Sequence, residues 1–192
     1  MHVPSSTELK NKKLFVDEDT YLCFPALEYT DQLFTIIQQH RSYLEEFLPW
    51  VKNIQKAWHA NGFLKEAMLL NKGKQRLTTL IIHQKQLVGT VSLLKINQKD
   101  KRAEIGYWLT QDTQHKGIMT KSCQRLIQYA FNGLHLNRVE MRISANNPKS
   151  RKIPLRLNFT LEGRLRGYQK NTKQSDFEDV EIYGLLKSEW KK

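Results

Sequence analysis

The chain contains one segment in which a strand leads directly into a basic helix start. Residues 103–109 (AEIGYWL) have the composition of a strand, and after a short loop residues 114–120 (QHKGIMT) begin a helix. The free N–H groups and the positive dipole end of a helix start bind anions, and Gly117 lets a ligand approach the backbone closely. Lys116 and Lys121 add positive charge. The segment indicates a pyrophosphate site, and the competing interpretation is an ordinary helix start with exposed lysines.

A second segment carries polar residues at helical spacing. Pro148 favours the first turn of a helix, where its missing N–H costs nothing. Asn147 and Ser150 follow the pattern N-x-x-S, which places them about one helical turn apart. The sequence FTLEG follows at residues 159–163. This second segment strengthens the signal of the first.

Hydrophobic periodicity divides the chain into helices and strands. Thr30 is expected to cap the first helix, and Gly133 to end a later one. The predicted strands are 21–25, 77–83, 86–95, 102–109, 138–144, 160–168 and 177–185, and the predicted helices are a stretch after Thr30, 54–70, 117–131 and 148 to about 158. Strands grouped early and alternating with helices later indicate a mixed α/β (α+β) sheet.

Composition indicates one domain of a basic protein. With 192 residues, 40% of them hydrophobic, the chain is short for two full domains, so a single domain over residues 1–192 is expected. Lys and Arg number 31 against 19 Asp and Glu, and the net charge of +12 favours encounter with phosphates, nucleic acid or acidic surfaces. The basic residues are scattered and form no DNA- or RNA-binding motif, so direct nucleic-acid readout is the weaker interpretation.

The cysteines and the apolar segments bear on the compartment. Cys23 and Cys123 lie far apart, outside any CxxC or Cys/His ligand spacing, and predict buried thiols in a reducing environment. Residues 1–13 lack the apolar core of a signal peptide, and no segment approaches the ~20 apolar residues of a membrane span. A cytoplasmic protein without membrane contact is expected.

The motifs, taken in order, resemble the GNAT acetyltransferases. The segment AEIGYWL, the Q-x-x-G-x-x loop from Gln114, N-x-x-S from Asn147 and F-x-x-E-G from Phe159 are similar to those of RimJ/RimL-like enzymes, which acetylate the N-termini of ribosomal proteins. The resemblance is specific over residues 103–163 and extends to the closing strand at 179–186.

The resemblance implies both a fold and a co-substrate. The fold is a mostly antiparallel central sheet, flanked by helices and splayed between the family's fourth and fifth strands, here 102–109 and 138–144. Acetyl-coenzyme A would occupy the opening, with its pantetheine on the first of these strands and its pyrophosphate on the amides of 114–120, and no metal is required. The residues assigned to it in this way are Tyr107, Trp108, Leu109, Gln114, His115, Lys116, Gly117, Ile118, Met119, Thr120, Asn147 and Arg151.

Three residues depart from the family pattern. Met119 replaces a small residue, which is tolerable if only its backbone faces phosphate. Asn158 replaces a glycine, and asparagine also enters the left-handed conformation. Pro154 stands where many relatives carry a tyrosine that protonates the departing thiolate. Ser150 is then the predicted proton donor, and a capping or surface serine is the alternative.

The base that deprotonates the acceptor has no clear motif. Glu104 on the central strand is the first candidate, and Glu162, Asp112 and an unassisted water route are the alternatives. Together with Ser150 and Asn147, Glu104 completes the predicted catalytic set.

The acceptor side is indicated by tryptophans. Trp50, in the segment Leu48-Pro49-Trp50, and Trp108 are expected to line it, with core packing as the alternative. The resemblance implies acetyl transfer to a primary amine, in the first place the N-terminus of a ribosomal or other protein. An antibiotic or polyamine is the alternative acceptor, and a module that binds acetyl-coenzyme A without turnover is a further alternative. Ribosome association and a homodimer are left open.

Overall fold

The computed structural model describes residues 13–171 and 176–191. In these ranges the strands are β1 (Leu14–Phe15), β2 (Thr20–Cys23), β3 (Leu77–His83), β4 (Gln86–Asn97), β5 (Arg102–Leu109), β6 (Arg138–Ser144), β7 (Thr160–Lys170) and β8 (Phe177–Leu186). The helices are α1 (Thr30–Gln39), α2 (Arg41–Leu44), α3 (Ala57–Lys72), α4 (Ile118–Asn132) and α5 (Pro148–Arg156), and short 3-10 turns cover Leu27–Tyr29, Pro49–Asn53 and Gln111–Thr113. The strands form one sheet in the order β1-β2-β3-β4-β5-β6-β8-β7.

Strands β5 and β6 are parallel neighbours in a sheet whose other pairs are antiparallel. They are in register only at Arg102 with Arg138, Ala103 with Val139 and Glu104 with Glu140, and then diverge. Parallel strands need a long crossover connection, which α4 supplies. The predicted mixed, mostly antiparallel sheet, splayed between these two strands and flanked by helices, is confirmed.

Helices on the two faces of the sheet bury two hydrophobic clusters. Amphipathic α4 contributes Leu126 to one cluster, which also contains Ile105 of β5. Helices α1 and α3 contribute Leu33 and Leu64 to the other, which contains Trp108 of the same strand. Because successive strand residues point to opposite faces, β5 is a shared wall of both clusters. None of the described helices has the length and apolar character needed to cross a membrane.

The predicted elements are present, and the differences lie at their ends. The helix expected over 54–70 begins at Ala57, because a 3-10 turn occupies Pro49–Asn53 and residues 54–56 are extended or irregular. The prediction that Thr30 caps α1 is wrong: Thr30 is the first helical residue, and its hydroxyl donates to the Leu27 carbonyl at 2.7 Å. The two residues of β1 are too few to show a periodicity.

Three predictions about single residues are confirmed. Asn158 adopts the left-handed conformation with φ 58°, which asparagine enters more readily than most residues. Cys23 and Cys123 are free and buried. Burial raises the pKa of both thiols, which keeps them protonated and structural.

Strand β4 lies unusually close to β5 at Gly89. A Cβ there would press on the carbonyl oxygen of Trp108 and lie 3.0 Å from Cα of Leu109. We therefore predict that Gly89→Ala forces the strands apart and lowers the free energy of unfolding by ~1–3 kcal/mol, measured by urea denaturation. Gly163→Ala in β7 is the matched control, because a Cβ there meets nothing within 4 Å, and it should change stability by less than ~0.5 kcal/mol. Equal losses in the two variants would contradict the packing argument.

Candidate active site

A cleft of about 790 Å³ lies where β5 and β6 diverge. Sites for small molecules have volumes of roughly 300–1,000 Å³, so the cleft has the size of such a site. Its walls come from β5, the start of α4, the end of β6, α5, the segment after α2 and the β7–β8 hairpin. The lining residues are Tyr43, Leu44, 46–49, 105–109, 113–115, 117–120, 142–144, Asn146, Asn147, Lys149, Ser150, Ile153, Arg156, 169–171 and Glu178.

One edge of β5 has no strand partner beyond Glu104. On its other edge the strand stays paired with β4 as far as Leu109. Alternate backbone N–H and C=O groups of residues 105–109 therefore face the opening, where they need hydrogen-bond partners. A ligand that carries amide groups can supply these partners by adding to the strand edge.

The start of α4 presents backbone N–H groups to the cleft. Gly117 is the N-cap, in the left-handed conformation with φ 77°, and no side chain caps the helix. Ile118, Met119 and Thr120 in the first turn line the cleft, and their N–H groups have no acceptor within the helix. His115 is also left-handed, with φ 63°. Together with the helix dipole, these free donors suit a phosphate group.

Tyr43 on α2 connects the two helix starts that border the cleft. Its hydroxyl accepts a hydrogen bond from Nε2 of Gln114 at 2.6 Å, and Nζ of Lys149 lies 5.4 Å from its ring centroid. The first contact holds the loop before α4, and the second is a cation–π contact with α5. Lys121, in contrast, is 2.8 Å from Asp17, so its charge is paired away from the cleft.

The start of α5 is held by two side chains. Oδ1 of Asn147 accepts a hydrogen bond from the N–H of Ser150 at 3.0 Å, which makes Asn147 the N-cap. Pro154 has no N–H to donate to the Ser150 carbonyl four residues earlier. The Tyr107 hydroxyl donates to this carbonyl instead, at 3.1 Å. Burial raises the pKa of Tyr107 well above its usual value, so the hydroxyl stays protonated and remains a donor.

The cleft brings together most of the residues predicted for the co-substrate. They are Tyr107, Trp108, Leu109, Gln114, His115, Gly117, Ile118, Met119, Thr120 and Asn147, with Ser150 beside them. Lys116 is exposed and lies outside the lining. Arg151 is also outside, because its Nε donates to Oε2 of Glu181 at 2.8 Å. The structure therefore gives no support to phosphate binding by Arg151.

The carboxylates predicted as the base lie outside the cleft lining. Glu104 pairs with Lys95 and Arg142, and Glu162 pairs with Arg138, whereas Asp112 lies 3.5 Å from Nε2 of His40. For Glu104 the distances are 2.8 Å to Nζ of Lys95 and 3.6 Å to Nε of Arg142. The hydrogen bond from Arg138 lowers the pKa of Glu162. Because all three carboxylates lie outside the lining, none of them faces an acceptor bound in the cleft.

The two tryptophans have different positions. Trp108 lines the cleft, whereas Trp50 lies outside the lining, stacked on Phe63 with ring centroids 5.1 Å apart and 6.2 Å from the Trp108 ring. Core packing, the alternative considered for both, therefore describes Trp50. Nε1 of Trp108 is buried and has no hydrogen-bond partner within the described ranges. A buried donor without a partner is costly, so this N–H is a candidate contact for a bound ligand.

Sequence reasoning missed most of the charged residues of the cleft. The described lining contains four basic side chains and two carboxylates: Arg142, Lys149, Arg156 and Lys170 against Glu46 and Glu178. This excess of positive charge favours an anionic ligand. The residues come from β6, α5, β7, β8 and the segment after α2, and only Lys149 lies inside a motif, so no local pattern could have found the set. In the part of the chain that the structure describes, no group of three or more His, Cys, Asp or Glu side chains is placed to hold a metal ion.

Comparison with known proteins gives consistent matches. A family profile described as acetyltransferase (GNAT) domain matches residues 22–160. The putative ribosomal N-acetyltransferase YdaF of Bacillus subtilis (strain 168) is 40% identical over 111 residues, which are 57% of this chain and 59% of that relative. The ribosomal-protein-serine acetyltransferase of Escherichia coli (strain K12) is 27% identical over 171 residues, 89% of this chain and 94% of that enzyme.

A solved structure agrees with this relationship. The microcin C7 self-immunity acetyltransferase MccE, in complex with acetyl-CoA and AMP, is 30% identical with a TM-score of 0.84, and the match covers 89% of this chain and 94% of that one. The family match includes both strands that diverge at the cleft and the helix starts beside it. The chain therefore belongs to the GNAT acetyltransferase family, with acetyl-coenzyme A as its co-substrate.

Proposed function

We propose that this enzyme acetylates the N-terminal amine of a protein, with a ribosomal protein as the leading acceptor. The observation that carries the proposal is the relationship to the Escherichia coli ribosomal-protein-serine acetyltransferase, which extends over 89% of this chain and not only over the co-substrate motifs. The Bacillus subtilis relative, named a putative ribosomal N-acetyltransferase, supports it. The net charge of +12 favours encounter with the phosphate-rich ribosome. Such a role would place the enzyme in the cytoplasm.

The cleft fits acetyl-coenzyme A, which supplies an activated acetyl thioester. The free edge of β5 at residues 107–109 would pair with the pantetheine amides. Nδ2 of Asn147 remains available to donate to them, because only its Oδ1 is used as the cap. The N–H groups of residues 118–120 would hold the pyrophosphate. Lys149 and Arg156 line the cleft and can provide the charge for the remaining phosphate.

Ser150 is the proposed proton donor. Its N–H is bound by Asn147 and its carbonyl by Tyr107, so its backbone is fixed, and within the described residues its Oγ makes no hydrogen bond. The hydroxyl can therefore protonate the departing sulfur. A free N–H of β5 near Leu109 would stabilise the negative charge that develops on the acetyl oxygen, a contribution of ~3 kcal/mol for one well-placed donor. Positioning the two substrates provides much of the remaining acceleration.

A small cationic amine is the second candidate acceptor. The observation that favours it is the presence of Glu46 and Glu178 in the cleft, because carboxylates attract polyamines and amino-substituted antibiotics. The MccE relative was solved with AMP as well as acetyl-CoA. Proteins of this fold thus differ in what they bind beside the co-substrate, and the fold alone does not select the acceptor.

A mass-shift assay distinguishes the two acceptor classes. The enzyme is incubated with acetyl-coenzyme A and with peptides that begin with Ser or Ala, the same peptides blocked at the N-terminus, or spermidine. We expect the free peptides to gain one acetyl group, the blocked peptides to gain none and spermidine to react more slowly. Faster acetylation of spermidine would contradict the protein acceptor and favour the second candidate.

The left-handed Gly117 allows a matched pair of variants at the phosphate site. Asn and Asp both tolerate this backbone conformation, a Cβ there meets no atom within 4 Å, and the two side chains have nearly the same shape, so the pair differs mainly in charge. We predict that Gly117→Asp weakens acetyl-coenzyme A binding at least ~10-fold relative to Gly117→Asn, because it places a carboxylate beside the pyrophosphate. Calorimetry measures both affinities. If the two variants bind equally, the pyrophosphate must lie elsewhere.

The proposed role of Ser150 predicts a kinetic effect without a stability effect. Ser150→Ala should lower kcat by ~10²-fold and leave the Kd of acetyl-coenzyme A within a few-fold, as for a lost proton donor. Its backbone contacts to Asn147 and Tyr107 survive the substitution, so the melting temperature should stay close to that of the parent. Ser150→Thr keeps the hydroxyl and should recover part of the rate. A parental rate in Ser150→Ala would rule out this donor.

A further inference from the structure

The described lining of the cleft contains two carboxylates, Glu46 and Glu178. On β8, Val180 is in register with Ser144, the last residue of β6, and Glu178 precedes Val180 by two residues. It therefore lies just past the carboxyl end of β6, at the end of the sheet where β5 and β6 have separated. Nδ2 of Asn146 donates to it at 3.0 Å across the end of the strand. This position puts Glu178 in the wall of the cleft, at the end where the two strands are apart.

Glu178 is held by amide side chains. Oε1 accepts a hydrogen bond from Nε2 of Gln169 at 2.7 Å, and Oε2 accepts from Nδ2 of Asn146 at 3.0 Å and from Nδ2 of Asn171 at 3.2 Å. Neutral donors orient the carboxylate and leave its charge uncompensated. Among residues 13–171 and 176–191, no Lys, Arg or His nitrogen lies within ion-pair distance of it. Oε1 has accepted one bond and retains capacity for another.

Two consecutive asparagines connect this carboxylate to the proposed proton donor. Asn146 binds Glu178, and Asn147 caps the helix turn that carries Ser150. All four residues line the cleft. A carboxylate that can accept a proton and a hydroxyl that can give one are therefore fixed to the same short turn between β6 and α5, which is the arrangement that acyl transfer to a protonated amine requires.

We propose that Glu178 binds the ammonium group of the acceptor and accepts its proton, with Asn146 and Gln169 as positioning residues. The proposal rests on the proposed function only in that the acceptor is a primary amine, whether a protein N-terminus or a small molecule. An α-amino group has a pKa of ~7.7–8.0, so it is largely protonated at neutral pH and must lose a proton before it reacts.

The proton and electron balance of the step is complete. One proton passes from the ammonium nitrogen to Oε1 of Glu178, directly or through one water, and is later released to solvent. The freed nitrogen lone pair forms the bond to the acetyl carbon, and the bond from that carbon to sulfur breaks. Sulfur takes the proton of Ser150 Oγ, and the second proton lost by nitrogen restores this hydroxyl through water. The products are the acetylated amine, the free thiol and one proton in solvent.

Other charged or titratable groups line the cleft and contribute to the pH dependence of the reaction rate. They are Arg142 on β6, Lys149 and Arg156 on α5, Lys170 on β7, Glu46 after α2 and His115 before α4. Arg142 is engaged by Glu140 at 3.1 Å and by the Tyr168 hydroxyl at 3.1 Å. The comparison between variants below holds all of these groups constant.

Glu178→Gln tests the proposal, and Asp179→Asn is its matched control. Asp179 is the next residue on β8, points to the opposite face and pairs with Nε of Arg164 at 2.8 Å, so the control removes the same charge outside the cleft. Below the pKa of the amine, Glu178→Gln should lower kcat/KM for the acceptor by ~10² or more, with recovery as the pH rises above that pKa. The Kd of acetyl-coenzyme A should stay within a few-fold, and Asp179→Asn should keep the parental profile.

Glu178→Asp extends the kinetic test. It retains the charge one methylene shorter and should recover part of the rate on the acid side. A parental kcat/KM at pH 7 in Glu178→Gln, a loss that is the same at every pH, or an equal loss in Asp179→Asn would overturn the proposal.

The acceptor panel and a binding measurement separate this proposal from the proposed function. The kinetics use whichever primary amine the parent acetylates fastest. If the parent acetylates spermidine and no peptide, the protein acceptor is contradicted, and Glu178 is still tested with spermidine. In parallel, calorimetry on the protein loaded with coenzyme A compares a Ser-initiated peptide and spermidine with their acetylated forms. The parent should prefer the free amine in at least one pair, and Glu178→Gln should lose that preference. An unchanged preference in the variant, or none in the parent, would refute ammonium binding at Glu178.

Discussion

The separation of β5 from β6 after Glu104 is the constraint on which the rest of the site depends. In the last residue pair of the two strands, Glu104 lies opposite Glu140. Arg142 lies 3.6 Å from the Glu104 carboxylate and 3.1 Å from the Glu140 carboxylate. Beyond it the two strands share no backbone ladder, so the edge of β5 is left with groups that a bound molecule must satisfy. Helix α4 begins beside this opening because the crossover from β5 to its parallel neighbour has to leave the sheet there. A pantetheine-binding edge and an anion-binding helix start are thus two consequences of one topology.

Pro154 shows how a change in one element is accommodated by another. A proline inside a helix removes a hydrogen bond to the carbonyl four residues earlier, with a typical cost of ~3 kcal/mol or more. Here that carbonyl belongs to Ser150, and the Tyr107 hydroxyl reaches it from β5 at 3.1 Å. The Tyr107 hydroxyl thereby ties the first turn of α5 to the strand on the other side of the opening. This contact fixes the backbone that carries the Ser150 side chain, which favours the proposed proton transfer.

The carboxylates of the sheet divide into two kinds by their partners. Glu104, Glu140 and Glu162 alternate with Lys95, Arg142 and Arg138 in a series of ion pairs that runs from β4 through β5 and β6 to β7. Charges bound in this way stabilise one another and have little capacity to bind a further cation. Glu178 is bound by amides instead, so orientation is supplied without neutralisation. The nature of the partner, more than the presence of an acidic residue on a central strand, distinguishes a structural carboxylate from one suited to an amine.

What the sequence by itself determined is the part of the protein that depends on local backbone geometry. The strand at 103–109, the helix that begins after Gly117, the helix that begins at Pro148 and the left-handed Asn158 each follow from a few consecutive residues. Only the tertiary structure decided which charges face the cleft. Arg151 donates a hydrogen bond to Glu181, which is thirty residues away in the sequence. Glu104 forms an ion pair with Arg142 of the neighbouring strand, and Glu178 accepts a hydrogen bond from Asn146, at a separation of 32 residues. Side-chain pairing depends on which strands become neighbours and in what register, and no spacing along a single chain encodes that directly.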